Sequence, residues 1–203
     1  MNQFRHEDKF VCSEEEVQLL RSRLSSHGII SERQNYQVAS LYYDSRNQES
    51  FYSKQDGENL KTKLRMRFYD NNFSHFEIKE KQGSKNRKKK LNLKTDSDMN
   101  ILNQEEVRFL FSGPVTPSIW VRYQREAFEL KTREESIRIT IDSSMTFKKP
   151  TSSFYEKSLP SVFIVEFKYI KHFDFLEDIY SSLMQKKPTS FSKFIEGVKC
   201  FYL

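Results

Sequence analysis

The chain has 203 residues and a net charge of +6 at neutral pH, and this length suits one domain with a sizeable core better than two. Hydrophobic residues make up 36% of the chain, and it has only 5 glycines and 5 prolines, which excludes a disordered chain and a flexible interdomain linker. We therefore expect a single domain over 1–203. The positive charge favours an anionic partner such as a nucleotide, a polyphosphate, a nucleic acid or an anionic membrane.

The cysteines and histidines indicate neither a disulfide framework nor a metal site. Cys12 and Cys200 are the two cysteines and lack CxxC spacing, and the four histidines are scattered without HxH or HExxH spacing. No signal peptide opens the sequence, and no apolar run approaches the length of a membrane span. We expect a soluble, cytoplasmic protein.

The first 43 residues predict a strand, a helix and a second strand. Alternating apolar and polar residues predict a strand over 4–11. Ser13 and Glu16 have the spacing of a capping box, which begins a helix that ends before Gly28. The β-branched and aromatic residues at 36–43 predict the second strand.

A short helix and a hairpin follow. Asp44 or Ser45 is expected to cap the helix, and Gly57 ends it. Charged and apolar residues alternate over 61–69 and again over 73–81, with an Asp-Asn-Asn turn between them, so we predict two paired strands.

The remainder of the chain is richer in strands than in helices. The basic run at 85–90 begins another short strand or remains a loop. The other predicted elements are a helix capped by Asn103 and Glu106, strands at 119–130, 136–142 and 162–169, a helix from Asp174 to Met184, and a terminal helical turn at 192–198. The fold class is therefore α+β with a mainly antiparallel sheet.

Six strand-like stretches carry Lys, Arg or Glu at every second position. They are Arg5-Glu7-Lys9, Lys63-Arg65-Arg67, Glu77-Lys79-Lys81, Tyr123-Arg125, Arg138-Thr140-Asp142 and Glu166-Lys168. Such strands usually turn their charged face to water. Here, however, basic residues outnumber acidic ones, whereas solvated faces normally mix both signs. We therefore expect a sheet rolled so that its charged faces enclose a basic cavity for a polyanion.

The sequence resembles the VTC-type polyphosphate polymerase domain (VTC, vacuolar transporter chaperone), a member of the triphosphate tunnel metalloenzymes. The matching segments, in order, are RHEDKF at 5–10, SLYYDS at 40–45, KLRMRFYD at 63–70, FEIKEK at 76–81, YQREAFE at 123–129, IRITIDSSM at 137–145, VEFKY at 165–169 and SFSKFIEG at 190–197. The resemblance implies an antiparallel β-barrel, or tunnel, with a charged lumen and a few flanking amphipathic helices.

The resemblance also implies a set of site residues. The side chains expected to grip phosphates are Lys9, Arg65, Arg67, Lys79, Arg125, Arg138 and Lys193. Further substrate contacts are expected from Arg5, Lys63, Lys81, Tyr123, Lys168 and Ser192, and from Lys88 or Lys89, between which the sequence does not choose. Glu166 is expected to hold Mn²⁺ or Mg²⁺, assisted by Glu7.

Two positions depart from the family pattern. The wider superfamily often begins with ExExK, but Arg5 occupies the first of these positions, so that position loses a metal-binding carboxylate. Ser190 stands where some members have a lysine, which removes one phosphate contact.

By resemblance, the leading hypothesis is an enzyme that transfers the γ-phosphoryl group of ATP to a growing polyphosphate chain. The same residues would serve an inorganic triphosphatase or polyphosphatase, or a polyphosphate or inositol-phosphate sensor without turnover. Nucleic-acid binding is not expected, since the sequence has no RNA-recognition signature. Translocation of a product would require a separate membrane protein.

Overall fold

A computed structural model describes residues 6–83, 85–91, 105–131, 136–152, 155–170, 179 and 186–202. Within these segments nine strands form one sheet: β1 (His6–Cys12), β2 (Ser31–Ser45), β3 (Leu60–Tyr69), β4 (Asn72–Gln82), β5 (Lys85–Leu91), β6 (Val115–Lys131), β7 (Ser136–Lys148), β8 (Glu156–Leu159) and β9 (Phe163–Tyr169). The helices of the described segments are α1 (Glu14–Ser26), α2 (Glu49–Gln55), α3 (Glu105–Arg108) and α4 (Lys193–Tyr202).

Hydrogen bonding orders the strands β1-β9-β7-β6-β2-β3-β4-β5, and β8 pairs with β7. The pairs β1 with β9, β7 with β9, β2 with β3, β3 with β4, and β4 with β5 are all antiparallel. This confirms the predicted α+β class with a mainly antiparallel sheet. None of the helices in the described segments is long and apolar enough to span a membrane.

The chain divides into two compact units. Unit 1 comprises residues 1–36, 123–145 and 158–191, and unit 2 comprises residues 37–122, 146–157 and 192–203. The strands β2, β6, β7 and β8 each contribute residues to both units. The prediction of a single domain stays a prediction.

Unit 1 has a core between α1 and the sheet. The capping box of α1 forms as predicted, because Ser13 N donates to Glu16 Oε2 at 2.7 Å and Glu16 N donates to Ser13 Oγ at 3.3 Å. The helix then buries its apolar face against alternate residues of β1, β7 and β9. The buried cluster includes Phe10, Val17, Leu20, Leu24, Ile137, Ile139, Ile141, Val165 and Phe167.

Unit 2 has its own core, on one face of the β3–β4 hairpin. Its buried residues are Leu41, Tyr43, Leu64, Met66, Phe76, Ile78, Val107 and Phe111. The apolar positions predicted for both hairpin strands thus lie in this core. The opposite face is left to the charged positions of the same strands, since alternate side chains of a strand project to opposite faces.

Asp44 and Ser45 both serve the start of α2, although neither is its N-cap. Asp44 Oδ1 accepts a hydrogen bond from Ser50 N at 2.9 Å, and its Oδ2 accepts one from Phe51 N at 3.2 Å. Ser45 Oγ accepts one from Glu49 N at 3.3 Å. The chain reaches this geometry through Gln48, whose φ is 54°.

Several elements differ from prediction in length. The basic run forms a strand, β5, and α4 extends over ten residues where a single helical turn was predicted. β8 was not predicted, because its four residues lack a run of apolar or β-branched side chains. The cap Asn103 and nearly all of the helix predicted from Asp174 lie outside the described residues.

Candidate functional site

The strand register of unit 1 gathers five predicted site residues and Thr140 in two rows across β1, β9 and β7. One row is Lys9, Glu166 and Thr140, and the other is Glu7, Lys168 and Arg138. Directly paired residues of antiparallel strands project from the same face. We call these six residues the Glu166 cluster.

Glu166 lies between two lysines. Lys9 Nζ is 3.3 Å from Glu166 Oε2, and Lys168 Nζ contacts Glu166 Oε1. Burial alone would raise the pKa of Glu166, which is 8% exposed, but the charges of Lys168 and Lys9 outweigh burial and hold the pKa below its usual range. Glu166 is therefore ionised at neutral pH.

Lys9 connects the two predicted metal carboxylates. Its Nζ is 2.5 Å from Glu7 Oε1 as well as in contact with Glu166. Burial alone would lower the pKa of Lys9, but the charges of Glu166 and Glu7 raise it above its usual value. Two carboxylates thus converge on one cationic nitrogen.

Arg125 is held by a carboxylate that the sequence analysis left without a role. Its Nε donates to Asp142 Oδ1 at 2.5 Å and its Nη2 donates to Asp142 Oδ2 at 2.7 Å, which is the bidentate geometry of strong Arg–carboxylate pairs. The guanidinium carbon lies 5.2 Å from the ring centre of Tyr123. The orientation of Arg125 is therefore set before any ligand binds.

Thr140 places a buried hydroxyl beside Glu166 in the register. Its Oγ1 has no hydrogen-bond partner in the structure, and the residue is buried. A buried hydroxyl without a partner costs free energy. A ligand oxygen or a water molecule at this position would remove that cost.

Unit 2 has a buried glutamate, Glu77, which is 1% exposed. Arg65 Nη2 donates to Glu77 Oε1 at 2.5 Å, and Lys88 Nζ lies 2.7 Å from Glu77 Oε2. His75 Nε2 lies 3.2 Å from the same oxygen. We call Arg65, His75, Glu77 and Lys88 the Glu77 cluster.

The charges around Glu77 fix its protonation. Burial alone would raise its pKa, but Arg65 and Lys88 lower the pKa to about 2. The pKa of His75 is lowered, chiefly by burial. At neutral pH the cluster thus has one carboxylate, two cations and a neutral imidazole.

Aromatic side chains orient the arginines of β3. Arg65 Nη1 donates to the hydroxyl of Tyr42 at 3.0 Å, and its guanidinium carbon lies 5.8 Å from the Tyr42 ring centre. The corresponding distance from Arg67 to Tyr69 is 6.0 Å. Ring faces attract guanidinium groups, so these contacts restrict the orientations of the Arg65 and Arg67 guanidinium groups.

The register distinguishes Lys88 from Lys89. Lys88 pairs with Lys79 and contacts Glu77, whereas Lys89 pairs with Ile78 and so lies on the opposite face of β5. A second lysine that the prediction omitted, Lys90, pairs with Glu77. Of the two candidates in the basic run, Lys88 belongs to the Glu77 cluster and Lys89 does not.

The remaining predicted residues of unit 2 lie on β3 and β4 or at the start of α4. Lys63 Nζ donates to Ser192 Oγ at 2.8 Å, Lys79 pairs with Lys63, and Lys81 pairs with Lys61. Lys193 is the first residue of α4. Arg5 lies outside the described residues.

The structure therefore assigns the predicted residues to both units. In unit 1 they are Glu7, Lys9, Tyr123, Arg125, Arg138, Glu166 and Lys168, and in unit 2 they are Lys63, Arg65, Arg67, Lys79, Lys81, Lys88, Lys89, Ser192 and Lys193. The prediction omitted Tyr42, His75, Glu77, Thr140 and Asp142. Three of these, Glu77, Thr140 and Asp142, occupied charged-face positions of the alternating pattern, which was the signal available in the sequence.

The carboxylates of unit 1 fit a hard divalent cation. Within the described segments, no three His, Cys, Asp or Glu side chains lie close enough together to hold a metal ion by themselves. Mg²⁺ and Mn²⁺, however, are commonly held by one or two carboxylates and complete their shells with water and phosphate oxygens. Glu7 and Glu166, which converge on Lys9 Nζ, form such a pair.

Comparison with known protein families assigns the chain to one of them. The model of the VTC domain matches residues 4–202. The chain belongs to the VTC domain family. No match was found among curated proteins.

Several solved structures share the fold of this VTC domain. A candidate adenylate cyclase from Bacillus halodurans is 11% identical, with a TM-score of 0.51, over 98% of this chain and 100% of that one. The candidate adenylyl cyclase HpAC1 from Hippeastrum, for which a dominant triphosphatase activity is stated, is 13% identical, with a TM-score of 0.54, over 97% and 96%. The PH1012 protein from Pyrococcus horikoshii is 13% identical, with a TM-score of 0.52, over 96% and 99%.

Proposed function

We propose that this VTC domain is a divalent-metal-dependent polyphosphate polymerase that transfers the γ-phosphoryl group of ATP to a growing polyphosphate chain. The observation that carries the proposal is the Glu166 cluster, in which an ionised, nearly buried carboxylate lies between Lys9 and Lys168 on a face that also bears Arg138. A site made of cations alone could bind any anion. A carboxylate among the cations favours an anion that binds together with a metal ion.

The basic side chains would bind and orient the phosphates. Phosphoryl transfer requires mainly positioning and neutralisation of charge. Arg125 has a preset orientation, because it is bonded to a carboxylate, and planar guanidinium groups bind phosphate oxygens in pairs. Lys9 and Lys168 would supply point charges close to the transferred group.

Glu166 and Glu7 would hold Mn²⁺ or Mg²⁺, which would neutralise charge on the phosphate oxygens. Lys9 lies between these two carboxylates. We expect Lys9 to turn from the carboxylates towards phosphate when the substrate is bound. Without substrate the two carboxylates would be neutralised by Lys9, and with substrate they would be neutralised by the metal ion while Lys9 contacts phosphate. A buried charge requires such a partner in both states.

A triphosphatase or polyphosphatase is the second candidate. It is favoured by the stated triphosphatase activity of HpAC1, which has the same fold. The Glu166 cluster would bind the same substrate, and water would replace phosphate as the acceptor. The two activities differ in their products.

The experiment is to incubate purified protein with ATP and Mn²⁺, and in parallel with Mg²⁺, and to quantify polyphosphate, ADP and free phosphate. Polyphosphate formed with an equivalent amount of ADP supports the polymerase. Free phosphate without polymer supports the hydrolase. No turnover together with tight binding of polyphosphate would overturn both and would indicate a sensor.

A further inference from the structure

A cavity of about 280 Å³ adjoins the core of unit 2 and is lined by residues of α2, of β3 and of the segment after α3. On β3 the lining residues are Leu60 and Thr62, which alternate with Lys61 and Lys63. Neighbouring residues of a strand project to opposite faces. The cavity therefore lies on the face opposite the lysines and is separate from the proposed phosphate-binding residues.

Hydrogen bonds connect the walls of the cavity in the absence of any ligand. Ser112 N donates to Glu49 Oε2 at 3.1 Å, and Ser112 Oγ donates to Glu49 Oε1, which ties the segment after α3 to the start of α2. Glu58 N donates to Ser53 O at 3.0 Å, which turns the chain after α2 back towards β3. The cavity is therefore preformed, as ligand sites usually are.

The cavity is acidic although the chain is basic. Glu49 and Glu58 line it, and the described residues of its lining include no Lys, Arg or His, whereas the chain has 34 lysines and arginines. Burial alone would raise the pKa of Glu49, but the hydrogen bonds from Ser112 lower that pKa below its usual value. The cavity thus attracts cations and repels the phosphates that the opposite face attracts.

The rest of the lining suits a hydrocarbon chain that carries N–H donors. Leu60, Leu110 and Phe111 provide apolar surface, and the ring of Tyr52 can attract an ammonium group. Ser50 also lines the cavity; it is buried, and its Oγ has no hydrogen-bond partner in the structure. A buried hydroxyl without a partner costs free energy, and an N–H donor of a ligand would remove that cost.

The volume and the charge of the cavity together indicate a class of ligand. At about 30 Å³ for each water molecule, the volume corresponds to roughly nine waters, which suits a small organic molecule. A metal ion would leave most of this volume empty, and the described residues include no group of three His, Cys, Asp or Glu side chains that could hold one. Two ammonium groups would balance the two carboxylates, and a short aliphatic chain between them would contact the apolar walls.

We propose that this cavity binds a small aliphatic diamine, with its ammonium groups at Glu49 and Glu58 and its hydrocarbon chain against Leu60 and Phe111. The inference does not rest on the proposed function, because the cavity and the charged faces share no residue. It gives a protein that is otherwise suited to polyanions a separate site for an organic cation.

The first test is titration calorimetry with putrescine, the four-carbon diamine, at about 0.15 M salt. The protein must be free of bound polyanions, which would themselves bind the amine. Butylamine has one ammonium group and butanediol has none, so we expect both to bind at least about tenfold more weakly than putrescine, since each lost ion pair in a partly buried site weakens binding. An excess of Mg²⁺, which has two charges but no hydrocarbon chain, should not displace putrescine.

The second test places a cation on the cavity wall through Leu60→Lys. Leu60 is exposed, so the substitution should leave the core intact, and thermal melting checks this. The matched control is Leu19→Lys, which changes an exposed leucine on α1 in unit 1. We expect Leu60→Lys to weaken putrescine binding by about tenfold or more, because the new ammonium group competes for the same carboxylates, whereas Leu19→Lys should change it by less than about twofold.

A second pair of variants removes one carboxylate each. Glu58→Gln should weaken putrescine binding by about threefold to fivefold, the effect of an exposed ion pair. Glu156→Gln should have no such effect, because Glu156 is exposed on β8 and does not line the cavity. Equal effects of these two substitutions would show that putrescine responds only to net charge, which would overturn the inference.

Three further results would overturn the inference. The first is the absence of putrescine binding at concentrations up to about 10 mM, and the second is an equal loss of binding in Leu60→Lys and Leu19→Lys. The third is a failure to distinguish ligands: butylamine binding as tightly as putrescine would indicate a site for a single ammonium group, such as a lysine side chain, and displacement by Mg²⁺ would indicate a metal site.

Discussion

Two buried carboxylates, Glu166 and Glu77, organise the charged side chains of their respective units. A buried charge without a partner costs several kcal/mol, and each carboxylate meets at least two cations. The cations in turn acquire defined positions. The central carboxylate of each cluster therefore orients the cations around it, and replacing that carboxylate is the most direct test of the cluster.

Replacement of Glu166 separates catalysis from folding. We expect Glu166→Gln to reduce metal-dependent turnover by at least about 100-fold, since the carboxylate proposed to bind the metal is lost, while the far-UV circular dichroism stays unchanged. The matched control is Glu126→Gln, because Glu126 also forms an ion pair, with Arg21 at 2.9 Å, but lies outside the cluster. Normal turnover in Glu166→Gln would contradict the metal assignment.

Replacement of Glu77 tests whether its buried charge stabilises unit 2, because that stabilisation should depend on pH. Its pKa of about 2 in the folded protein lies below the ordinary value of about 4.3 for an unfolded chain. Its stabilisation is therefore present above that ordinary value and is lost as the pH falls towards 2. At about 1.4 kcal/mol per pKa unit, this amounts to at most about 3 kcal/mol.

The measurement is the free energy of unfolding in urea at neutral pH and at several values below pH 4. Glu77→Gln should be less stable than the parent at neutral pH, and the difference should shrink as the medium becomes more acidic. A difference that is independent of pH would show that the carboxylate charge does not stabilise the cluster.

Elements whose limits depend on local contacts agreed well with the sequence. The capping box of α1 joins Ser13 to a residue three positions away, and the β3–β4 hairpin follows from alternation on either side of a short turn. β5 was undecided, because a run of basic residues has no apolar alternation to indicate a strand. Pairing with β4 decided its conformation.

Helix α4 contains a glycine whose role appears only in the packing. A Cβ at Gly197 would lie 2.8 Å from Phe147 Cδ1 and 3.2 Å from Ile119 Cγ1, and both of these side chains are fully buried. The close approach of α4 to β6 and β7 in unit 2 therefore requires the absence of a side chain.

We expect Gly197→Ala to destabilise the protein by about 1–3 kcal/mol through overpacking, even though alanine favours helices. Gly113→Ala is the matched control, because a Cβ at Gly113 would meet no atom within 4 Å. Urea denaturation measures both. Equal midpoints for the two variants would mean that α4 does not pack closely on Phe147.

At the scale of the whole molecule, each unit combines an apolar core with a carboxylate-centred cluster, and the chain carries a net charge of +6. Such a charge attracts polyanions over distances that salt shortens. Belonging to the VTC domain family agrees with this preference. The strength of the attraction can be measured without knowing the reaction.

Binding of inorganic triphosphate should weaken several-fold when the salt concentration rises from about 0.05 M to about 0.2 M, because screening shortens the range of the attraction. Calorimetric titration at each salt concentration provides the affinities. Sucrose at matched osmolality is the control and should change them little, since it does not screen charge. An affinity that is insensitive to salt would contradict an electrostatic mode of binding.

The sequence by itself determined the α+β class, the faces of most strands and the residue types of the candidate site, because alternation and capping depend on neighbours a few positions apart. Only the tertiary structure decided that Lys88 rather than Lys89 accompanies Glu77, and that Asp142 holds Arg125. A shift of one residue in strand register moves every side chain to the other face. Such assignments depend on pairing between strands, which local sequence patterns do not specify.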